Sequence, residues 1–127
     1  MQSQFGRRLP AAAVAGVWVY HGLWCKILGR CADQLRVIED LPGMPRALAR
    51  PALTALGAAE LALAAWVLSG RRPVDAARAE TGLLVAMNGG GFAFSRRHIA
   101  APRALLAENL AFLALVWWTA ASEREAR

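Results

Sequence analysis

Hydrophobic positions in this chain fall into long blocks, and polar positions gather between them. The blocks run Leu9–Leu28, Pro51–Leu68, Ala76–Phe94 and Pro102–Ala121. Each holds about 18–20 residues, so a helix rising about 1.5 Å per residue would cross a hydrocarbon core of about 30 Å. The third block is the weakest, because it carries Glu80, Asn88 and the run Gly89-Gly90-Gly91. Gly43-Met44-Pro45-Arg46 and Gly70-Arg71-Arg72-Pro73 separate blocks and are helix-ending signals. Pro51 and Pro102 open blocks, where a missing N–H costs nothing at a helix start. Helices of a soluble bundle need a polar face, yet Leu61–Leu68 and Leu110–Ala121 are apolar almost all round. A cleaved signal peptide fits no better. The small residues Ala11–Ala13 stand at the start of the first apolar run, which continues to Leu28 without a suitable cleavage site. The pattern predicts an all-α fold, a bundle of four transmembrane helices in up-down order, forming a single membrane domain over residues 1–127.

Between the first two blocks, residues 29–50 mix Leu35, Val37, Ile38 and Leu41 with Asp33, Arg36, Glu39 and Asp40. That mixture fits a short amphipathic segment lying on the membrane surface, and a solvated loop fits it nearly as well.

Composition strengthens the membrane reading. Of 127 residues, 57% are hydrophobic, and the mean hydropathy is +0.32. A net charge of +6 would also suit nucleic acid. However, Arg7-Arg8, Arg46, Arg50, Arg71-Arg72, Arg96-Arg97 and Arg103 punctuate the apolar blocks, as at membrane flanks facing head groups. A nucleic-acid partner is therefore not expected. Four crossings put both termini on one side, here called face A. Seven basic residues fall there (Arg7, Arg8, Arg71, Arg72, Arg78, Arg124, Arg127) and eight on the opposite face B. That split leaves the positive-inside rule little to act on. Arg7-Arg8 before the first helix tips the expectation towards cytoplasmic termini in an inner, multi-pass membrane setting.

The polar residues inside the blocks are the informative ones, because a polar group left unpaired in hydrocarbon costs several kcal/mol. Counted from face B, His21, Glu60, Asn88, Glu108 and Asn109 all lie about 9–13 Å deep. Tyr20 and Lys26 belong to the same half, and Trp18, Trp24 and Trp66 are available to line or cap it. Thr54, Gly57 and Glu60 share a stripe, as do Thr81 and Asn88. The adjacent Glu108 and Asn109 point about 100° apart. Asn109 is expected to face inward and Glu108 to turn towards a neighbouring helix or Arg103. Three readings stay open: interhelical hydrogen bonds that lock the bundle, a ligand or quinone pocket opening to face B, and a proton or ion path. The candidate ligand-binding set is Tyr20, His21, Lys26, Glu60, Asn88, Glu108 and Asn109.

The remaining polar residues carry less. Glu80 sits near face A, where water, Arg78 or Arg71 would serve it. Arg96-Arg97-His98 reads as a lipid-facing basic end that complements a helix C-terminus. The triple glycine fits close packing or a local helix break, and Trp117-Trp118 fits an interfacial belt. Cys25 and Cys31 would point to different sides of a continuous helix, about 9 Å apart along it. A disulfide therefore requires that the helix end before Cys31. No metal site, flavin motif or haem motif is present.

Tyr20-His21-Gly22-Leu23 followed by Lys26, then Gly57 and Glu60, then Asn109, resembles the DoxX-like family of small four-helix membrane proteins. In arrangement the resemblance covers essentially the whole chain, although few residues carry it. Cys25 stands where that pattern would have proline. The resemblance implies a bundle in a bacterial-type inner membrane. The family's name comes from a subunit similar to those of a thiosulfate–quinone oxidoreductase, so it also implies quinone as a possible cofactor. The expectation is a protein that binds a lipophilic small molecule or a membrane partner, with a homo-oligomer included. The alternative is a quinone-linked oxidoreductase subunit.

Overall fold

The computed structural model describes residues 4–125, so Arg127 of the face-A count lies outside it. No strand occurs among the described residues. Helix α1 (Gln4–Val19) runs directly into a π-helical stretch (Tyr20–Ile27). Then come α2 (Ala32–Glu39), α3 (Arg46–Ser69), α4 (Pro73–Phe94), a 3-10 turn (Arg96–His98) and α5 (Pro102–Glu125). Two of these, α3 and α5, are long and apolar enough to cross a membrane.

The helices outrun the apolar blocks that predict them. Helix α3 starts after Pro45 and not at Pro51, which lies inside it. The missing N–H at Pro51 leaves only the Ala47 carbonyl, in the first turn of the helix, without its helical partner. Gly70 ends α3 in the left-handed conformation, with φ 68°. Pro73 then opens α4 at the position where proline costs least.

The main core gathers at the end where α1 begins and α5 ends. Ala11, Val14, Ala15 and Trp18 of α1 meet Leu63, Ala64 and Val67 of α3, Ala76, Ala77 and Leu84 of α4, and Val116 and Ala120 of α5. The many alanines let helices approach closely enough to pack without large side chains between them. Arg8 ties this end together by pairing with Glu123 at 3.1 Å and donating to the Leu68 carbonyl. In the other half, the π-helical stretch crosses α3 backbone against backbone. A Cβ on Gly57 would stand 2.6 Å from the Gly22 carbonyl oxygen, and one on Gly22 would stand 2.7 Å from that of Gly57. Only glycine fits both positions.

The amphipathic segment forms helix α2, which docks on the bundle. Ile38 is buried with Ala49 and Leu53 of α3. Ser95 Oγ donates to the Val37 carbonyl at 2.7 Å. The triple glycine does not break α4. Positions 90 and 91 instead leave room for α2 and the turn after it, whose Val37 and Leu41 would lie 3.7 and 3.9 Å from Cβ atoms added at 91 and 90. Arg96-Arg97-His98 is likewise more than a lipid-facing end. Arg97 grips Asp40 with two nitrogens, at 2.7 and 2.8 Å, and His98 Nε2 lies 2.9 Å from the same carboxylate. The hydrogen bonds from Arg97 hold the Asp40 carboxyl below its ordinary range.

The two cysteines meet the condition that a disulfide sets. The helix ends at Leu28, Gly29 turns with φ 68°, and Cys31 is extended at the start of α2. Their Cα atoms come to 4.6 Å, and the pair is disulfide-bonded.

Candidate ligand cavity

The π-helical stretch sets the first wall of the site. Its hydrogen bonds reach across five residues, as from Leu28 N–H to the Leu23 carbonyl at 2.8 Å. Residues five apart, about 140° round an α-helix, therefore come nearer to one face. His21 and Lys26 both line a cavity of about 750 Å³. Their neighbour Tyr20 is turned outwards, 52% exposed, with its ring edge-on to His21 at 5.2 Å. Tyr20 does not line the cavity, so the structure does not bring it together with the other six candidates.

Opposite stand Glu60 and Leu56 of α3, Asn88 and Met87 of α4, and Glu108, Asn109 and Phe112 of α5. The floor is Trp18, which also stacks edge-on against Phe112 at 5.4 Å. The roof is α2 and the loop after α4, through Asp33, Gln34, Val37, Ile38, Leu41, His98 and Ile99. The volume lies within the roughly 300–1,000 Å³ range of small-molecule sites. The depth count thus brings six of the seven candidate residues to one cavity.

Those six do not form one hydrogen-bond network. Lys26 Nζ lies 2.6 Å from Glu60 Oε1 as an ion pair, with both side chains buried. Neither Glu60 oxygen has a well-directed hydrogen bond. Separately, Asn109 Nδ2 donates to Asn88 Oδ1 at 3.1 Å. His21 lies within electrostatic reach of both Lys26 and Glu108. Glu108 also lines the cavity, and among the described residues it forms no ion pair with Arg103. The expectation that only Asn109 faces inward is corrected: the cavity is wide enough to take both neighbours.

Glu80 is a further correction. It is 2% exposed and accepts a hydrogen bond from Trp18 Nε1 at 2.6 Å. Arg78 pairs instead with Asp75 at 3.3 Å. The carboxylate therefore braces the floor from behind, where a depth count alone places it near water. Thr81, on the Asn88 stripe, accepts from Trp117 Nε1 at 3.0 Å, so that stripe reaches α5 twice. Trp24 and Trp66 stay away from the cavity. Arg30 covers the Trp24 ring at 5.6 Å, and Trp66 Nε1 donates to the Arg71 carbonyl.

The roof residues Asp33, Gln34 and His98 were missed by counting depth along the long blocks. A signal for the first two existed: positions 33, 34, 37 and 38 repeat at helical spacing and mark one face of α2. Among the described residues, no group of three or more His, Cys, Asp or Glu could hold a metal ion.

No curated protein and no solved structure matches this chain. A model of the DoxX-like family matches residues 15–117, a span that includes the π-helical stretch, the α2 roof and every polar residue of the cavity. That match and the two long apolar helices mark a membrane protein. Because the matched span covers most of the chain, the protein belongs to the DoxX-like family.

Proposed function

We propose that this protein is a multi-pass inner-membrane protein that holds a lipophilic small molecule in the cavity roofed by α2. One observation carries the reading: a cavity of about 750 Å³ with mostly apolar walls and a confined layer of polar groups. Apolar walls with a few convergent polar groups are the usual make-up of a small-molecule site. Four helical crossings in up-down order, with cytoplasmic termini, complete the proposal. The Arg8–Glu123 pair supports it by bringing the two ends of the chain together. Reporter fusions at the two termini should therefore land on the same side of the membrane, and opposite sides would remove the four-crossing arrangement.

The ligand reading is tested by native mass spectrometry of the full chain extracted in mild detergent. An adduct of small-molecule mass should be retained, and it should be lost from Ala104→Trp, which fills a lining position. Equal retention by the variant would place the molecule elsewhere and defeat the reading. A quinone-linked redox subunit is the second reading. It is favoured by the Cys25–Cys31 disulfide, which sits beside the cavity-lining Lys26. A membrane-protein partner or second copy of the chain acting through the same polar layer would leave the cavity free of any small molecule.

A further inference from the structure

The cavity differs in charge from the chain around it. The whole chain carries +6, yet the cavity lining offers one ammonium, Lys26, against the carboxyl groups of Asp33, Glu60 and Glu108. Lys26 is engaged by Glu60. At the roof, Asp40 is matched by Arg97 and His98. That leaves Asp33 and Glu108 without an ion pair or hydrogen bond among the described residues.

The two amides are fixed in orientation. Asn109 Nδ2 donates to the Leu105 carbonyl at 2.8 Å, and Asn88 Nδ2 donates to the Leu84 carbonyl at 2.9 Å. A main-chain carbonyl can only accept, so these contacts set which way round both amides sit. The second N–H of Asn109 is taken by Asn88 Oδ1. The acceptors left towards the cavity are Asn109 Oδ1, the Glu108 carboxylate and Glu60 Oε2, which is fully buried without a directed hydrogen bond. Against them stand one Asn88 N–H, the Lys26 hydrogens turned away from Glu60 and the N–H groups of His21 and Gln34, so the preference is set by charge, three carboxyl groups to one ammonium, and not by a lack of donors. Around this layer the walls are apolar, with Met87, Phe112 and Leu83 among them.

Resting on the reading of the cavity as a lipophilic-ligand site, we propose that its occupant is a cationic amphiphile. Its apolar body fills the space above Trp18, and its protonated amine head sits against Glu108 and Asn109 Oδ1. A fatty acid would bring a third unmatched negative charge beside Glu108 and Asp33. A neutral quinone would leave the carboxylates of Glu108 and Asp33 without a counter-charge.

The test uses the full chain in phosphatidylcholine nanodiscs with three probes of equal chain length: dodecylammonium, dodecanol and dodecanoate. Binding is read by competition against the co-purified adduct and by the shift in melting temperature. Dodecylammonium should bind at least about tenfold more tightly than dodecanoate, as expected for one charge-assisted hydrogen bond. Glu108→Gln should erase that preference, and Glu108→Lys should invert it. Equal binding of all three probes, or a preference that survives Glu108→Gln, would overturn the cationic assignment and leave the cavity reading standing. Failure of every probe, with no adduct sensitive to Ala104→Trp, would overturn both.

Discussion

The buried Lys26–Glu60 pair gives the sharpest test of how this bundle is held together. Nζ and Oε1 are 2.6 Å apart, and the two side chains are 6% and 0% exposed. Neither Glu60 oxygen has a directed hydrogen bond to share its charge, so removing Lys26 would leave the carboxylate with no partner. Taking one member from a buried pair typically costs about 3–5 kcal/mol, whereas replacing both with apolar residues of similar volume is often neutral or stabilising. Lys26→Met and Glu60→Leu should therefore each destabilise the protein by about 3–5 kcal/mol. The double variant should recover most of that loss. The measurement is equilibrium unfolding in mixed micelles, followed by tryptophan fluorescence, for wild type, both singles and the double. Losses below about 1 kcal/mol in the singles would be those of an exposed pair and would refute the burial argument. A double variant as unstable as the two singles summed would show that each residue acts through separate contacts. In that case the charges would not form an energetic unit.

Other outcomes follow from single contacts. Gly57→Ala forces a Cβ to within 2.6 Å of the Gly22 carbonyl oxygen and should cost about 1–3 kcal/mol by overpacking. Gly82→Ala meets nothing within 4 Å and should gain up to about 1 kcal/mol of helix propensity; melting curves of the two should move in opposite directions. Asn109→Leu removes the hydrogen bond to Asn88 and should cost about 0.6 kcal/mol, the average for such bonds in membranes, a loss that detergent unfolding can resolve. Asp40 is held below its ordinary value of 3.8, chiefly by hydrogen bonds from Arg97. Its contribution to stability is thus complete above that value and is lost as pH falls through the depressed one. Between pH 5 and pH 3, wild type should lose more melting temperature than Asp40→Asn, and parallel curves would remove the latch from the account.

Much of the scaffold was legible because helix geometry is local. A fixed rise per residue turns an apolar block into a length, and a polar residue's position within it into a depth. That arithmetic was enough to bring His21, Lys26, Glu60, Asn88, Glu108 and Asn109 to one cavity. Depth along an axis says nothing about rotation around it. Tyr20 and Lys26 were grouped alike, yet Tyr20 faces out, because the π-helical stretch resets which residues share a face. Glu80 was assigned to water by depth and is buried on Trp18, because α1 passes beside it. Contacts between distant positions were invisible for the same reason. The clasp of Asp40 by Arg97 and the bond from Ser95 to Val37 each join segments more than fifty residues apart. They exist only once α2 folds back over the bundle. The disulfide depended on whether a helix ends three residues before Cys31, a boundary that Gly29 and the roof's docking decide together. The sequence alone determined that this chain forms long apolar helices with polar groups at a common depth, since both follow from residue order along one axis. Tertiary structure alone decided which of those groups face one another and what closes over them, since that depends on how neighbouring helices are turned and packed.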